Sequence, residues 1–126
     1  MFMIVALALL QNSTSDIQDA NEVVWARQTS DHDRYWIMRH ELRYEGSGSV
    51  VVWMHGDHRS NPSVNYRTSL WRIRFACDGT MQLTAVTTLD ARGNQVSSWD
   101  GYQSSTYIRP GTIYESIEKG FCLQRR

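Results

Sequence analysis

Between residues 66 and 77 apolar and polar positions alternate, with Trp71, Ile73, Phe75 and Cys77 on one side and Arg72 and Arg74 on the other. That two-residue period marks a strand that lays one face on a core. Asp78-Gly79 follows, a dipeptide suited to a tight hairpin turn, and Met81, Leu83, Ala85 and Leu89 carry the alternation onward on odd positions. Asp90, Gly93 and Asn94 then mark a second turn before a short strand near residues 95–99. Parallel neighbours would need crossover helices, and no helical period lies between these segments, so the expectation is an antiparallel meander.

The first half of the chain reads in the same way. Residues 23–28 form a β-branched and aromatic run that ends in a polar turn holding His32, Asp33 and Arg34. Residues 35–41 make a second strand with Tyr35, Ile37 and Arg39 on one side and Trp36, Met38 and His40 on the other. Neither side is purely polar, so the pattern leaves its inner face open. After a Gly/Ser turn come Val50, Val51, Val52, Trp53, Met54 and His55, apolar on both faces. Such a strand is central, and is either covered on both sides or covered on one and used for association on the other. Residues 56–65 are polar and read as a loop, the kind of segment that more often carries binding than scaffolding.

The period changes only at the C-terminal end. Thr112 and Glu115 have capping-box spacing after Pro110-Gly111, and Ile113, Ile117 and Phe121 recur at four-residue steps. This predicts a helix over residues 113–119, ended by a left-handed glycine cap at Gly120. So short a helix is not stable alone and needs its apolar face packed on the sheet.

Composition narrows the setting. A chain of 126 residues fits one domain. Thirteen Lys plus Arg balance thirteen Asp plus Glu, so no net field draws it to nucleic acid. The basic residues are nearly all Arg, which pairs with carboxylates and stacks on aromatic rings. Residues 1–10 are apolar but too short to span a bilayer, and Ser13 and Ser15 sit where a signal peptidase reads small residues. The expected organisation is a signal peptide over 1–15, a flexible leader over 16–22 and one domain over 23–126. No lipobox cysteine lies near the end of the signal segment, so a soluble periplasmic, secreted or cell-surface protein is expected. In an oxidising compartment the two cysteines, Cys77 and Cys122, should pair and stabilise the fold by roughly 4 kcal/mol. There is no Cys-x-x-Cys spacing to suggest a redox or zinc-thiolate role.

Several features, taken in order, resemble a known family. Val51-Val52-Trp53, a polar loop, Tyr66-Arg67-Thr68-Ser69, Phe75-Ala76-Cys77, a turn with Gly93, Pro110-Gly111-Thr112 and a final Cys122 are similar to the surface-adhesin protein E family of small exported bacterial proteins. The resemblance spans Trp25 to Cys122. It implies an α+β fold, an antiparallel sheet of about six strands with a C-terminal helix packed on it, and a disulfide mapping to Cys77 and Cys122. For function it implies a non-catalytic, adhesin-like binding module of the bacterial cell envelope.

Other chemistry has thinner support. His55-Gly56-Asp57-His58 offers two imidazoles and a carboxylate, a candidate set for zinc or haem iron, and a metal- or haem-binding envelope protein using His55 and His58 is the first alternative. Zinc motifs of predictive value use a helix or cysteines, so no metal or other cofactor is assigned. Ser, His and Asp are plentiful without a Gly-x-Ser-x-Gly or His-Glu-x-x-His motif, which leaves a small secreted hydrolase as the second alternative. Trp25, Trp36, Trp53, Trp71 and Trp99 are read mostly as core. Trp99 with Tyr102, near a loop, is the candidate exposed patch for a ligand or for a homodimer partner.

Overall fold

The computed structural model describes residues 22–101 and 103–122. The expected signal peptide and all of the leader except Glu22 lie outside the described residues, as does Tyr102. Seven strands and a helix follow one another: β1 (Val23–Gln28), β2 (Arg34–Tyr44), β3 (Val50–Asp57), β4 (Thr68–Phe75), β5 (Thr80–Leu89), β6 (Gln95–Asp100), β7 (Thr106–Tyr107) and α1 (Ile113–Cys122). Strands β1 to β6 pair antiparallel in chain order, the expected six-strand meander. The two-residue β7 shares an edge of β5 with β6: β6 takes Ala85 to Leu89, and β7 takes Thr80 and Met81.

Helix α1 covers one face of this sheet. Ile117, Phe121 and Cys122 pack with Ile37 from β2, Val50, Val52 and Met54 from β3, and Ile73 and Phe75 from β4. Each large side chain fully removed from water here contributes about 1.5–3 kcal/mol. Polar contacts fix the helix over that core: Trp25 Nε1 donates to Ser116 Oγ (3.0 Å), Tyr44 OH to the Phe121 carbonyl (3.2 Å) and the Gly79 amide to Glu118 Oε2 (2.9 Å). The Thr112 and Glu115 pair caps the helix start in a shifted form of the expected box. Thr112 Oγ1 accepts from the Glu115 amide (3.4 Å), while Glu115 Oε1 reaches back to the Gly111 amide (3.1 Å). Cys77 and Cys122, 45 positions apart in sequence, are joined in a disulfide with Cα atoms 5.4 Å apart.

Several boundaries differ from the pattern-based expectation. The helix continues through Gly120 to Cys122, because Phe121 and Cys122 are buried and the disulfide holds the last turn wound. Gly56 and Asp57 belong to β3, where Gly56 pairs with Ser69 and Asp57 with Thr68. Cys77 lies beyond β4 in a left-handed conformation, φ 65°, at the start of the hairpin turn, and it still packs against the core beside Cys122.

Of the register irregularities along the sheet, those in β2 and β5 change which face the core-side residues take. In β2 the register runs from Ile37 to Leu42 while β3 advances only from Met54 to Val52, so the extra residues bulge out. Inner positions are therefore Tyr35 and Ile37 before the bulge and Leu42 after it. In β5, Leu83 pairs with Ile73 and Ala85 with Arg72, which leaves Thr84 as the extra residue. The odd-position stripe thus breaks: Met81 and Leu83 pack on the core, whereas Ala85 and Leu89 turn to the other face.

Candidate functional site

No helix lies over the second face of the sheet among the described residues, and its own side chains cover it. Val51 on β3 pairs with Arg43 and Arg74 and is only 5% exposed, shielded by the aliphatic stems of its neighbours. Arg43 lies over the Trp53 ring at 5.5 Å. Glu45 approaches both Arg74 (3.0 Å) and Arg43 (3.8 Å), and Arg72 donates to Thr84 Oγ1 (2.8 Å) and Asp100 Oδ1 (3.0 Å). Farther along, Trp36 and His55 stack with centroids 5.4 Å apart and planes 9° from parallel. The β2 bulge brings Glu41 to 2.6 Å from His55 Nε2.

At the end of this face Asp57 holds two guanidinium groups. Arg34, its register partner on β2, donates through Nη2 to Oδ2 at 2.7 Å. Arg59 folds back and donates through its amide (3.1 Å) and Nε (3.0 Å) to Oδ1, and through Nη2 (2.8 Å) to Oδ2. The Asp57 side chain is 8% exposed, whereas Arg34 is 59% and Arg59 66% exposed. Hydrogen bonds from Arg59 first, then from Arg34, hold the carboxyl well below the usual carboxylate range, against the opposing effect of burial. Two hollows open beside this group. One, of about 560 Å³, lies toward β1 and is lined by Ala26, Gln28 and Arg34; the other, of about 470 Å³, lies toward the β5–β6 turn and is lined by Arg67, Thr68 and Ala91. Trp36, Asp57 and Arg59 line both, so they form one trough across the end of the sheet.

A second polar cluster lies under the opposite, helix-bearing face. His58 is 1% exposed, its Nε2 lies 2.7 Å from Ser69 Oγ and its Nδ1 lies 3.1 Å from Asp33 Oδ1. With Nδ1 beside a carboxylate, the sensible assignment places the proton there and makes Nε2 the acceptor of the Ser69 hydroxyl. The Nδ1 contact is off the N–H axis, a close polar contact without an aligned hydrogen bond. Trp71 Nε1 also donates to Ser69 Oγ (2.8 Å), and Asn61 Nδ2 donates to both Asp33 oxygens (3.1 and 3.2 Å). Tyr35 and Tyr66 meet the imidazole edge-on. Burial, then the Asp33 charge, raises the Tyr35 phenol well above its ordinary value. Gly56 makes room for the cluster, since a Cβ there would collide with Ser69 Oγ and lie 2.8 Å from His58 Nε2.

The residues singled out from sequence go to different places. His55 stacks on the open face, Asp57 anchors the arginines there, and His58 turns inward to Ser69, so the three do not converge. No group of three or more His, Cys, Asp or Glu side chains suited to a metal ion forms among the described residues. The reading of the tryptophans as mostly core is corrected. Trp25 and Trp71 pack against the core, Trp36 and Trp53 lie on the open face, and Trp99 is 40% exposed on the edge strand β6. An open sheet face lets large rings be covered by arginine and histidine rather than by a second layer. Arg34, Arg59, Trp36, Asp33 and Ser69 were not singled out as site residues. The Asp57 and Arg59 spacing was a readable local signal, because a side chain oxygen two residues before an amide readily accepts from it. Arg34 carried none.

Comparison of the chain with protein-family models, with curated proteins and with solved structures finds no match.

Proposed function

We propose that this protein is an exported, non-catalytic binding module of the bacterial envelope and that its ligand surface is the open face of the sheet. The observation that carries the reading is the division of the molecule. The disulfide and the helix close one face, while the other presents Trp36, Trp53 and half-exposed arginines to solvent without a covering layer. Tryptophan and arginine are the side chains most enriched where binding energy concentrates. The resemblance to the surface-adhesin protein E family and the disulfide, which is at home in an oxidising compartment, point the same way. No helix among the described residues is long and apolar enough to cross a membrane.

The test is capture by immobilised protein of purified envelope polysaccharide and matrix glycoproteins, comparing wild type with a Trp36→Ala, Trp53→Ala variant. Saturable capture that the variant loses supports the reading. No capture by wild type, or equal capture by a folded variant, overturns it.

The order Ser69, His58, Asp33 favours a second reading, a small hydrolase, because hydroxyl, imidazole and carboxylate stand in relay order. Against it, Ser69 is 4% exposed, its oxygen is already engaged by Trp71, and His58 Nδ1 lacks an aligned partner. Turnover of a p-nitrophenyl ester that disappears in Ser69→Ala would make this reading the better one.

A further inference from the structure

The trough at the end of the open face is built like a receptor. Asp57 carries one negative charge and is almost wholly buried between two positively charged groups that face solvent. Its two oxygens take the amide, Nε and Nη2 of Arg59 and the Nη2 of Arg34, which leaves most guanidinium N–H groups of both arginines unused within this cluster. A net positive charge therefore remains, and both side chains are already ordered. Arg67 lines the hollow toward the β5–β6 turn. The other carboxylate there, Asp90, is occupied in its own turn, where Oδ1 accepts from the Arg92 and Asn94 amides at 2.9 Å. Three arginines, Arg34, Arg59 and Arg67, thus stand beside two committed aspartates, in a protein whose overall formal charge is zero.

Trp36 adds the other half of the recognition chemistry. It is partly buried, lines both hollows and is braced from one side by His55, which Glu41 holds. A ring held in this way offers a flat apolar surface at low entropic cost. A hollow of about 560 Å³ is within the range of small-molecule sites.

We propose that this trough binds a small molecule in which a carboxylate or phosphate is attached to a flat ring, the anion on Arg34 and Arg59 and the ring on Trp36. The inference rests on the binding-module reading and supplies a ligand class for it. Planar guanidinium groups suit the paired oxygens of either anion. A cation would meet the excess of arginine, and a neutral ring would leave the charged fork without a partner.

Titration calorimetry with phenyl phosphate, benzoate, inorganic phosphate and neutral benzyl alcohol, at pH 7 and low salt, tests the proposal. Phenyl phosphate and benzoate are expected to bind saturably and to quench Trp fluorescence. Inorganic phosphate should bind more weakly than phenyl phosphate, and benzyl alcohol not at all. Arg59→Gln should weaken binding of both ring anions at least tenfold, a loss also expected of Arg34→Gln. Trp36→Leu should reduce the advantage of phenyl phosphate over inorganic phosphate. Thermal midpoints confirm that each variant is folded. Absence of binding of both ring anions to wild type, or unchanged affinity in the folded Arg34→Gln, Arg59→Gln double variant, overturns the proposal. Macromolecular capture that persists in either case leaves the binding-module reading standing, so the two failures are distinguishable.

Discussion

Removing the disulfide by the double substitution Cys77→Ala, Cys122→Ala should destabilise the protein strongly and from one end. The bridge closes a 45-residue separation, for which loop closure in the unfolded chain is worth about 4 kcal/mol in the chain-entropy model. For a domain of this size that corresponds to a fall in Tm on the order of 20 °C. The loss should not be uniform. Helix α1 has ten residues, below the length at which an isolated helix holds together, and its docking rests on Ile117, Phe121 and a few hydrogen bonds. Strands β3 and β4 are paired along their length and sit in the middle of the sheet. Hydrogen exchange under native conditions should therefore show α1 amides losing protection well before those of β3 and β4, with circular dichroism losing helix signal ahead of sheet signal on heating. A disulfide-free variant with unchanged α1 protection and a Tm within about 3 °C of wild type would refute the idea that the bridge secures the helix.

Two further substitutions probe the polar clusters. Gly56→Ala drives a methyl group into Ser69 Oγ and His58 Nε2 in a tightly packed site and should cost about 1–3 kcal/mol, read as a lowered urea midpoint; a neutral result would mean that the loop carrying His58 moves freely. Asp57→Asn tests the anchored arginines through pH. The folded carboxyl lies below its unfolded value, so its stabilising contribution is fully present above about pH 4 and is lost as the pH falls through the depressed folded value. Wild type should exceed the variant in stability at pH 7, with the gap narrowing below about pH 4; a gap that stays constant down to about pH 2 would show that the ion pairs do not set it.

The meander and the helix start were legible because each rests on local signals: a two-residue period, turn dipeptides and capping-box spacing. The cysteine pairing followed from there being two cysteines and an expected oxidising compartment. The helix end was less legible. Gly120 has the composition of a cap, but burial of Phe121 and the tether at Cys122 overrule it. Register is where local reading fails. The β2 bulge and the extra Thr84 in β5 exist only relative to a neighbouring strand, so the mixed faces of residues 35–41 looked unassignable and the odd-position stripe of β5 looked continuous. The candidate site was hidden for the same reason. Arg34 meets Asp57 across a strand pair, and Ser69 and Asp33 reach His58 from separate elements. Trp36 gave no hint of facing away from the core until the bulge was known.

The open face itself follows from how little one short helix can cover. Its buried residues reach β2, β3 and β4, and the opposite face of those strands must meet water. Near Val51 and Trp53 the covering side chains are Arg43, Arg72 and Arg74, which lie along apolar surface with their heads in solvent and make pairwise contacts to Glu45, Asp100 or a ring. The pair between Arg43, 61% exposed, and Glu45 is of the kind worth little, so the Arg43 side chain can be displaced at small cost. Arg34 and Arg59 differ, because the carboxylate between them is buried and removing either guanidinium leaves Asp57 less well compensated. One part of the face therefore has a cover that a partner can push aside, and the other has charges fixed in place before any partner arrives. Preorganised charge loses less entropy on binding, which places the stronger recognition element at Asp57 and makes the neighbouring surface its adaptable rim.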